Sequence, residues 1–114
     1  MRYMVKYKDK KLADNVVKAS TFSEKLVGLM FSKDLGDKEG LLFETKSIHT
    51  HFMRYAIDVV FMNKDYKIIK IFRGMKPWRM TGIFFKASYA IEFEAGKITD
   101  EISEGEYLDV ICIS

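Results

Sequence analysis

Alternation of apolar and polar residues predicts β-strands along most of the chain. Arg2–Lys8 alternates with its apolar and aromatic residues on one face, and a turn then leads into a second short strand, Leu12–Lys18. Later in the chain, Ser88–Glu94 alternates in the same way and is followed by Gly96, which ends it. Tyr107–Ile113 is apolar on both faces, which predicts a buried central strand.

The middle of the chain carries a second set of strand signals. Ile48–Met62 is long and contains neither glycine nor proline, so we predict a strand that bends near Tyr55-Ala56. Asn63-Lys64-Asp65 predicts the turn of a hairpin that joins the end of this strand to Tyr66–Phe72. The segment Gly74–Gly82 contains the only proline of the chain and is predicted to be a loop.

One segment has the period of a helix instead. Thr21 suits the N-cap, and Glu24 three residues later completes a capping box, in which each side chain accepts a hydrogen bond from a backbone N–H. Apolar residues then recur on one face, so we predict that Phe22–Met30 is helical and buries Leu26 and Met30. Together with six or seven short strands, this predicts a mainly β fold, a small antiparallel barrel or sandwich with one short helix.

Composition sets the class of protein. The 114 residues are 48% hydrophobic, which is enough for one core, so we expect a single domain over residues 1–114. The only cysteine, Cys112, lies in an apolar strand and is predicted to be an inert core thiol. The first residues lack an apolar run of signal-peptide length, and no segment reaches the roughly 18 apolar residues of a membrane helix. We therefore expect a cytoplasmic protein with no membrane partner.

The charges are unevenly placed although the net charge is only +3. Between Lys64 and Lys86 there are seven basic residues and one acid, whereas between Glu92 and Asp109 there are seven acids and one base. Such asymmetry can mark a nucleic-acid surface, but no motif with a known docking mode accompanies the basic stretch. We favour pairing of these charges within the fold and expect no nucleic-acid partner.

Several longer motifs follow one another along the chain. They are Thr21-Phe22-Ser23-Glu24-Lys25-Leu26-Val27-Gly28-Leu29-Met30, Gly40-Leu41-Leu42-Phe43, Ile48-His49-Thr50-His51-Phe52-Met53-Arg54-Tyr55-Ala56-Ile57-Asp58-Val59-Val60-Phe61, Lys76-Pro77-Trp78-Arg79, Ile91-Glu92-Phe93-Glu94-Ala95-Gly96 and Gly105-Glu106. These motifs and their order resemble those of the family known as domain of unknown function 192. The resemblance implies a compact β-rich fold with a short helix, and it implies no activity, because the biochemical role of the family is not established. Ala56 and His51 depart from the family pattern, which commonly has proline and an aromatic residue at these positions.

The two histidines form one candidate site. On a strand, His49 and His51 share a face and lie about 7 Å apart, so both imidazoles could reach one metal ion. Asp58, Glu92 or Cys112 would have to supply the third ligand. No third ligand is adjacent and no Cys/His motif is present, so we expect neither a metal nor another cofactor.

A second candidate site combines residues from three distant stretches. Arg54 could clamp an anion with its bidentate guanidinium or pair with Glu92, and Asp58 could anchor a ligand or instead bind backbone N–H groups. Trp78 stands among cationic residues and could form an apolar wall or a lid over one end of the barrel. We predict that these four residues lie near one mouth of the sheet, with His49 close by.

Two classes of function are compatible with these residues. Because no recognisable catalytic set is present, the sequence favours a binding or interaction module that contacts a small ligand or a protein at the Arg54–Asp58 bend and the Trp78 loop. The alternative is a small enzyme, with or without a metal, that uses His49, Asp58 or Glu92. The identity of the ligand and the oligomeric state stay open at this point.

Overall fold

The computed structural model describes residues 1–18, 39–48 and 55–113, and this part of the chain is built from strands. The strands are β1 (Arg2–Tyr7), β2 (Lys10–Lys18), β3 (Gly40–Phe43), β4 (Ile57–Met62), β5 (Ile68–Met75), β6 (Tyr89–Glu94) and β7 (Asp109–Cys112). The helix predicted for Phe22–Met30 lies outside the described residues. Within the described ranges, no helix has the length and hydropathy needed to cross a membrane.

The seven strands form one curled sheet in the order β5-β4-β6-β3-β2-β1-β7. Neighbouring strands are antiparallel except for β2 and β3, which run parallel. The two ends of the sheet approach each other, because Lys67 just before β5 forms an antiparallel bridge with Tyr107 before β7. Two backbone hydrogen bonds reinforce this contact: the Ile68 N–H donates to the Glu106 carbonyl (2.7 Å), and the Leu108 N–H donates to the Tyr66 carbonyl (3.1 Å). The prediction of a mainly β fold is confirmed, and the architecture is a half-barrel.

Each face of the sheet buries its own apolar cluster. The inner core draws on nearly every strand and includes Val5, Val16, Val60 and Phe93, all with no exposed area. The outer core lies on the other face of the sheet. Its buried residues are Phe43, Ile48, Ile57, Val59, Phe61, Met75, Ala87 and Ala90, and partly buried residues that include Phe72 and Phe84 pack against it. Because both faces are covered, every residue of β4 is buried.

The hairpin predicted in the middle of the chain is confirmed, although its strand limits differ. The Asn63 side-chain oxygen accepts the N–H groups of Asp65 (2.8 Å) and Lys67 (3.1 Å), which closes the turn between β4 and β5. The strand predicted for Ile48–Met62 is confirmed only from Ile57, where β4 begins, because Ile48 and residues 55–56 lie outside any strand. The chain bends at Tyr55, as predicted, and residues 49–54 lie outside the described part of the chain.

The prediction for the end of the chain is wrong. β7 is the last strand in the sheet order and has an exposed side, with Ile111 45% exposed. Cys112 is likewise exposed and is not a core thiol. An apolar run shows that a segment can be buried on both faces, but its place in the sheet is decided by which strands pair with it. Here β1 pairs with one edge of β7, and no second strand lies beyond it in the described sheet.

A glycine allows β3 and β6 to pair closely. Gly40 opposes Phe93, and a Cβ at this position would lie 2.9 Å from the Glu92 carbonyl oxygen of the neighbouring strand. Real Cβ atoms do not approach backbone oxygen this closely, so any larger residue would push the strands apart.

Tyr7 links the first hairpin to the 101–106 segment. Its ring is 5% exposed, and its hydroxyl contacts the Glu106 carboxylate and the Glu101 carbonyl oxygen. The hydrogen bond to Glu106, followed by burial, raises the pKa of Tyr7 above its usual 10.0. The stability contributed by the protonated hydroxyl is therefore fully present below pH 10.0 and is lost as the pH rises through the pKa of the folded state.

We expect the melting temperature of the protein to fall above about pH 10, and this fall to be smaller in Tyr7→Phe. Circular dichroism melts between about pH 8 and about pH 11 would measure it. Tyr107→Phe, at an exposed tyrosine, serves as the control and should retain the wild-type pH dependence. An unchanged alkaline slope in Tyr7→Phe would contradict the prediction.

Candidate functional site

Asp58 ties three parts of the backbone together from within β4. Its side chain is 1% exposed, and Oδ1 accepts the N–H of Gly74 at 2.8 Å. Oδ2 accepts the N–H groups of Gly96 at 3.0 Å and Ile98 at 2.9 Å. Three charge-assisted hydrogen bonds compensate the carboxylate for its loss of water. The structure thus shows Asp58 bound to backbone N–H groups of β5 and of the turn after β6.

A bulge in β5 explains why the Gly74 N–H is available. The pairing of β4 with β5 shifts by one residue between Ile57↔Met75 and Val59↔Phe72, so Arg73 and Gly74 together oppose Asp58. Gly74 has a φ of 64°, a left-handed conformation that glycine adopts without a steric penalty. A glycine inside an apolar strand is a recognised sign of a bulge, so the sequence contained a signal for this feature.

Arg73 binds the same loop through its backbone carbonyls. Its Nε donates to the Ile98 carbonyl at 3.2 Å, and its Nη2 donates to the carbonyls of Thr99 (3.1 Å) and Ile102. Ile98 therefore donates its N–H to Asp58 and accepts a hydrogen bond from Arg73. We call this arrangement of the two side chains around residues 96–102 the loop clamp.

Two open clefts adjoin the loop clamp and share Arg73 and Gly74. The first has a volume of 480 Å³ and is lined by Asp58 and residues of the 96–100 loop. The second, here called the β5 cleft, has a volume of 350 Å³. Its described lining residues come from the end of β5 and from the loop that follows, namely Phe72, Arg73, Gly74, Met75, Lys76, Arg79 and Met80.

The loop of residues 76–88, here called the Trp78 loop, is anchored to the 46–48 segment. Thr81 N–H donates to the Ile48 carbonyl (2.8 Å), the Thr81 hydroxyl accepts the Ile48 N–H (2.9 Å), and Phe84 N–H donates to the Lys46 carbonyl (2.8 Å). Before, between and after these anchors, the loop exposes four large apolar side chains, Trp78, Met80, Ile83 and Phe85. Trp78 is 55% exposed and is not part of the inner core.

Glu92 lies on the face of the sheet opposite to Asp58. It is fully buried in β6, and its pairing with Val59 directs it to the outer-core side. Asp58 pairs with Phe93, whose side chain belongs to the inner core. Directly opposed residues share a face, so the β4–β6 register separates the two carboxylates by the thickness of the sheet. The structure does not bring Asp58 and Glu92 together at one mouth.

The remaining predicted site residues lie outside the described part of the chain. His49, His51 and Arg54 belong to residues 49–54, so the place of Arg54 and His49 near the site stays a prediction. Among the described residues, no three His, Cys, Asp or Glu side chains converge as a metal site would require. Arg73, Arg79 and Met80 line the β5 cleft but were not singled out as site residues from the sequence.

The basic and acidic stretches meet at two ion pairs among the described residues. Lys70 Nζ lies 3.7 Å from Glu104, and Arg73 Nε lies 3.9 Å from Asp100. Both pairs connect β5 to the 100–104 segment rather than to a neighbouring strand. All four side chains are more than a third exposed, so these pairs contribute little to stability. Absence of nucleic-acid binding stays a prediction.

Comparison with known proteins identifies the family. Residues 4–110 match the family model of domain of unknown function 192, DUF192, described as "Uncharacterized ACR". The chain belongs to this family. The resemblance noted in the sequence is thereby confirmed, and the description of the DUF192 family names no activity.

Curated relatives and a solved structure agree with the family. A UPF0127 protein of Pyrococcus furiosus is 35% identical over 98 residues, which cover 80% of this chain and 81% of the relative. A UPF0127 protein of Pyrococcus horikoshii is 34% identical over 85 residues, which cover 68% and 70%. The crystal structure of a protein of unknown function from Novosphingobium aromaticivorans matches with a TM-score of 0.69 at 18% identity, covering 96% of this chain and 84% of that one. At 18% identity, this structural match shows only that the two proteins share a fold.

Proposed function

We propose that the protein is a small-ligand-binding module whose site is the β5 cleft, with the Trp78 loop as one wall. The observation that carries the proposal is the convergence in this cleft of apolar side chains, Phe72, Met75 and Met80, with a few polar groups. Its volume of 350 Å³ falls within the range of about 300–1,000 Å³ typical of small-molecule sites.

Ring contacts make one wall of the cleft rigid. Phe72 meets Phe61 edge-on at a centroid distance of 6.1 Å and Phe84 at 5.9 Å. Phe61 is fully buried in β4, so it holds the Phe72 ring against the outer core. A preformed apolar wall lowers the entropy that a ligand must lose on binding, which supports the proposal.

The residues around the cleft favour binding over acid–base catalysis. The described lining of the β5 cleft contains no histidine, cysteine, aspartate or glutamate. Asp58 lines only the neighbouring cleft, and three backbone N–H groups use most of the acceptor positions of its carboxylate. Glu92 lies on the outer-core face, but it is fully buried and does not line the β5 cleft.

A neutral naphthalene dye tests the proposal. N-phenyl-1-naphthylamine fluoresces when it enters an apolar site, and Trp78, the only tryptophan, reports on the loop beside the cleft. We expect saturable binding to one site with a simultaneous change in Trp78 emission. Met80→Ser should weaken binding by roughly tenfold, because it removes an apolar contact worth about 1–2 kcal/mol.

Phe85→Ser is the matched control. Phe85 lies on the same loop and is 79% exposed, more than Met80 at 69%, but it does not line the cleft. Its replacement should leave the dissociation constant unchanged. Equal losses in both variants, or fluorescence that never saturates, would show adsorption to exposed apolar side chains and overturn the proposal.

A further inference from the structure

We infer that the ligand of the β5 cleft is an organic anion, with a carboxylate, sulfonate or phosphate group joined to an apolar body. This inference rests on the proposed function and names the class of ligand. Three of the described lining residues are cationic, namely Arg73, Lys76 and Arg79, and none is acidic. A concave site lined by one sign of charge concentrates ions of the opposite sign.

The three cations differ in what they can offer. Arg73 already donates to backbone carbonyls and lies 3.9 Å from the exposed carboxylate of Asp100 on the side of the other cleft. Arg73 therefore supplies positive potential rather than the main contact. Lys76 and Arg79 are exposed side chains of the Trp78 loop, and the guanidinium fork of Arg79 matches a carboxylate or phosphate in geometry.

The apolar side chains complement this charge within the same cleft. The Phe72 ring forms a fixed wall on β5, and Met80 of the Trp78 loop offers a polarisable and adaptable side chain to the same cleft. Trp78, next to Arg79 in sequence, adds an exposed aromatic surface at the edge of the loop. A ligand that satisfied both sets of groups would be amphipathic, with its charged group towards the loop cations.

A compact anion fits the arrangement better than a single-stranded nucleic acid. A polyanion requires a continuous basic track, but Lys70 and Arg73 on β5 face the carboxylates of Glu104 and Asp100. The acidic 100–104 segment therefore borders the β5 cations and would repel an extended phosphate backbone.

Two dyes that differ by one group test the inference. 1-Anilinonaphthalene-8-sulfonate is N-phenyl-1-naphthylamine with an added sulfonate, so the ratio of their dissociation constants isolates the effect of the charge. We expect the sulfonate to bind about tenfold to a hundredfold more tightly, as is typical of a charge-assisted hydrogen bond. Arg79→Gln should reduce that ratio severalfold, because it removes a charge that attracts the sulfonate dye more strongly than the neutral dye.

The controls separate the site from general surface charge. Lys76→Gln is a second lining variant and should also reduce the ratio, whereas Lys86→Gln, on the same loop but outside the cleft, should not. All three positions are exposed, and melting temperatures equal to that of the wild type would confirm that the variants fold.

Each other outcome has a definite meaning. Equal affinities for the two dyes would overturn the anion inference while the proposed function stands. Absence of saturable binding by either dye would overturn both. If Lys86→Gln lowers the ratio of the two dissociation constants as strongly as Arg79→Gln does, the preference for the sulfonate comes from the charge of the whole surface. That result would overturn the inference. Binding of a short oligothymidine more tightly than the sulfonate dye would also overturn it, in favour of a nucleic-acid surface.

Discussion

Asp58→Ala should lower the free energy of unfolding by about 3–5 kcal/mol. The substitution removes the acceptor for the N–H groups of Gly74, Gly96 and Ile98 in a place where the side chain is 1% exposed. A buried N–H without an acceptor costs about 1–3 kcal/mol. The bond from Ile98 is buried and the bonds from Gly74 and Gly96 are partly buried, so the three losses add to the cost of the missing carboxylate. Because these groups belong to β5 and to the turn after β6, both segments should loosen together.

Urea unfolding followed by circular dichroism would measure the loss. Asp109→Ala is the matched control, since Asp109 is an exposed aspartate of β7 and its replacement should change stability by less than about 0.5 kcal/mol. Asp58→Asn should fall between the two, because the amide keeps one oxygen acceptor but turns an NH₂ group towards backbone donors. A loss below about 1 kcal/mol in Asp58→Ala would show that the three hydrogen bonds are not needed to hold these segments.

Arg73→Ala should lower the free energy of unfolding by about 1–3 kcal/mol. It removes the donors for the carbonyls of Ile98, Thr99 and Ile102, and the first and last of these residues are buried. The expected loss is smaller than for Asp58, because the Arg73 side chain is 38% exposed and water can replace part of what is lost. Arg73→Lys should not restore stability, since an ammonium cannot reach several carbonyls with a planar fork.

Lys70→Ala is the control for Arg73→Ala, and urea unfolding measures the free energy of unfolding of both variants. Lys70 makes one ion pair with Glu104 in which both side chains are more than 40% exposed, so its removal should cost between zero and about 1 kcal/mol. The double variant Arg73→Ala/Asp58→Asn should show non-additive losses, because both side chains bind Ile98. Strict additivity would contradict the loop clamp as a single unit.

The loop clamp also constrains experiments on the binding site. Arg73 lines the β5 cleft and holds the 98–102 segment at the same time, so its replacement changes both stability and the potential in the cleft. Arg79 is an exposed loop residue outside the clamp and separates these effects. For that reason the ligand class is tested at Arg79 and the fold at Arg73.

Much of the strand content could be predicted from local pattern. Alternation located β1 and β6, and the turn after β1 located β2, each to within one or two residues. The Asn63-Lys64-Asp65 turn was placed correctly because an asparagine side chain accepts hydrogen bonds from the N–H groups that follow it. These features depend on neighbours within a few residues. The family could be recognised for the same reason, since its motifs are short runs in a fixed order.

The relation between distant residues was decided by tertiary structure alone. Glu92 and Asp58 each stand out as a carboxylate within an apolar segment, but only the β4–β6 register assigns them to opposite faces. The apolar run that contains β7 indicates burial, yet its position at the end of the sheet leaves Ile111 exposed. The partners of Asp58 lie 16 to 40 residues away along the chain, and the two bulge residues, Arg73 and Gly74, line the β5 cleft. Local sequence determined which segments form strands and turns, because those preferences act within a few residues. Strand order and register instead depend on the packing of all the strands together, and they decided which side chains meet.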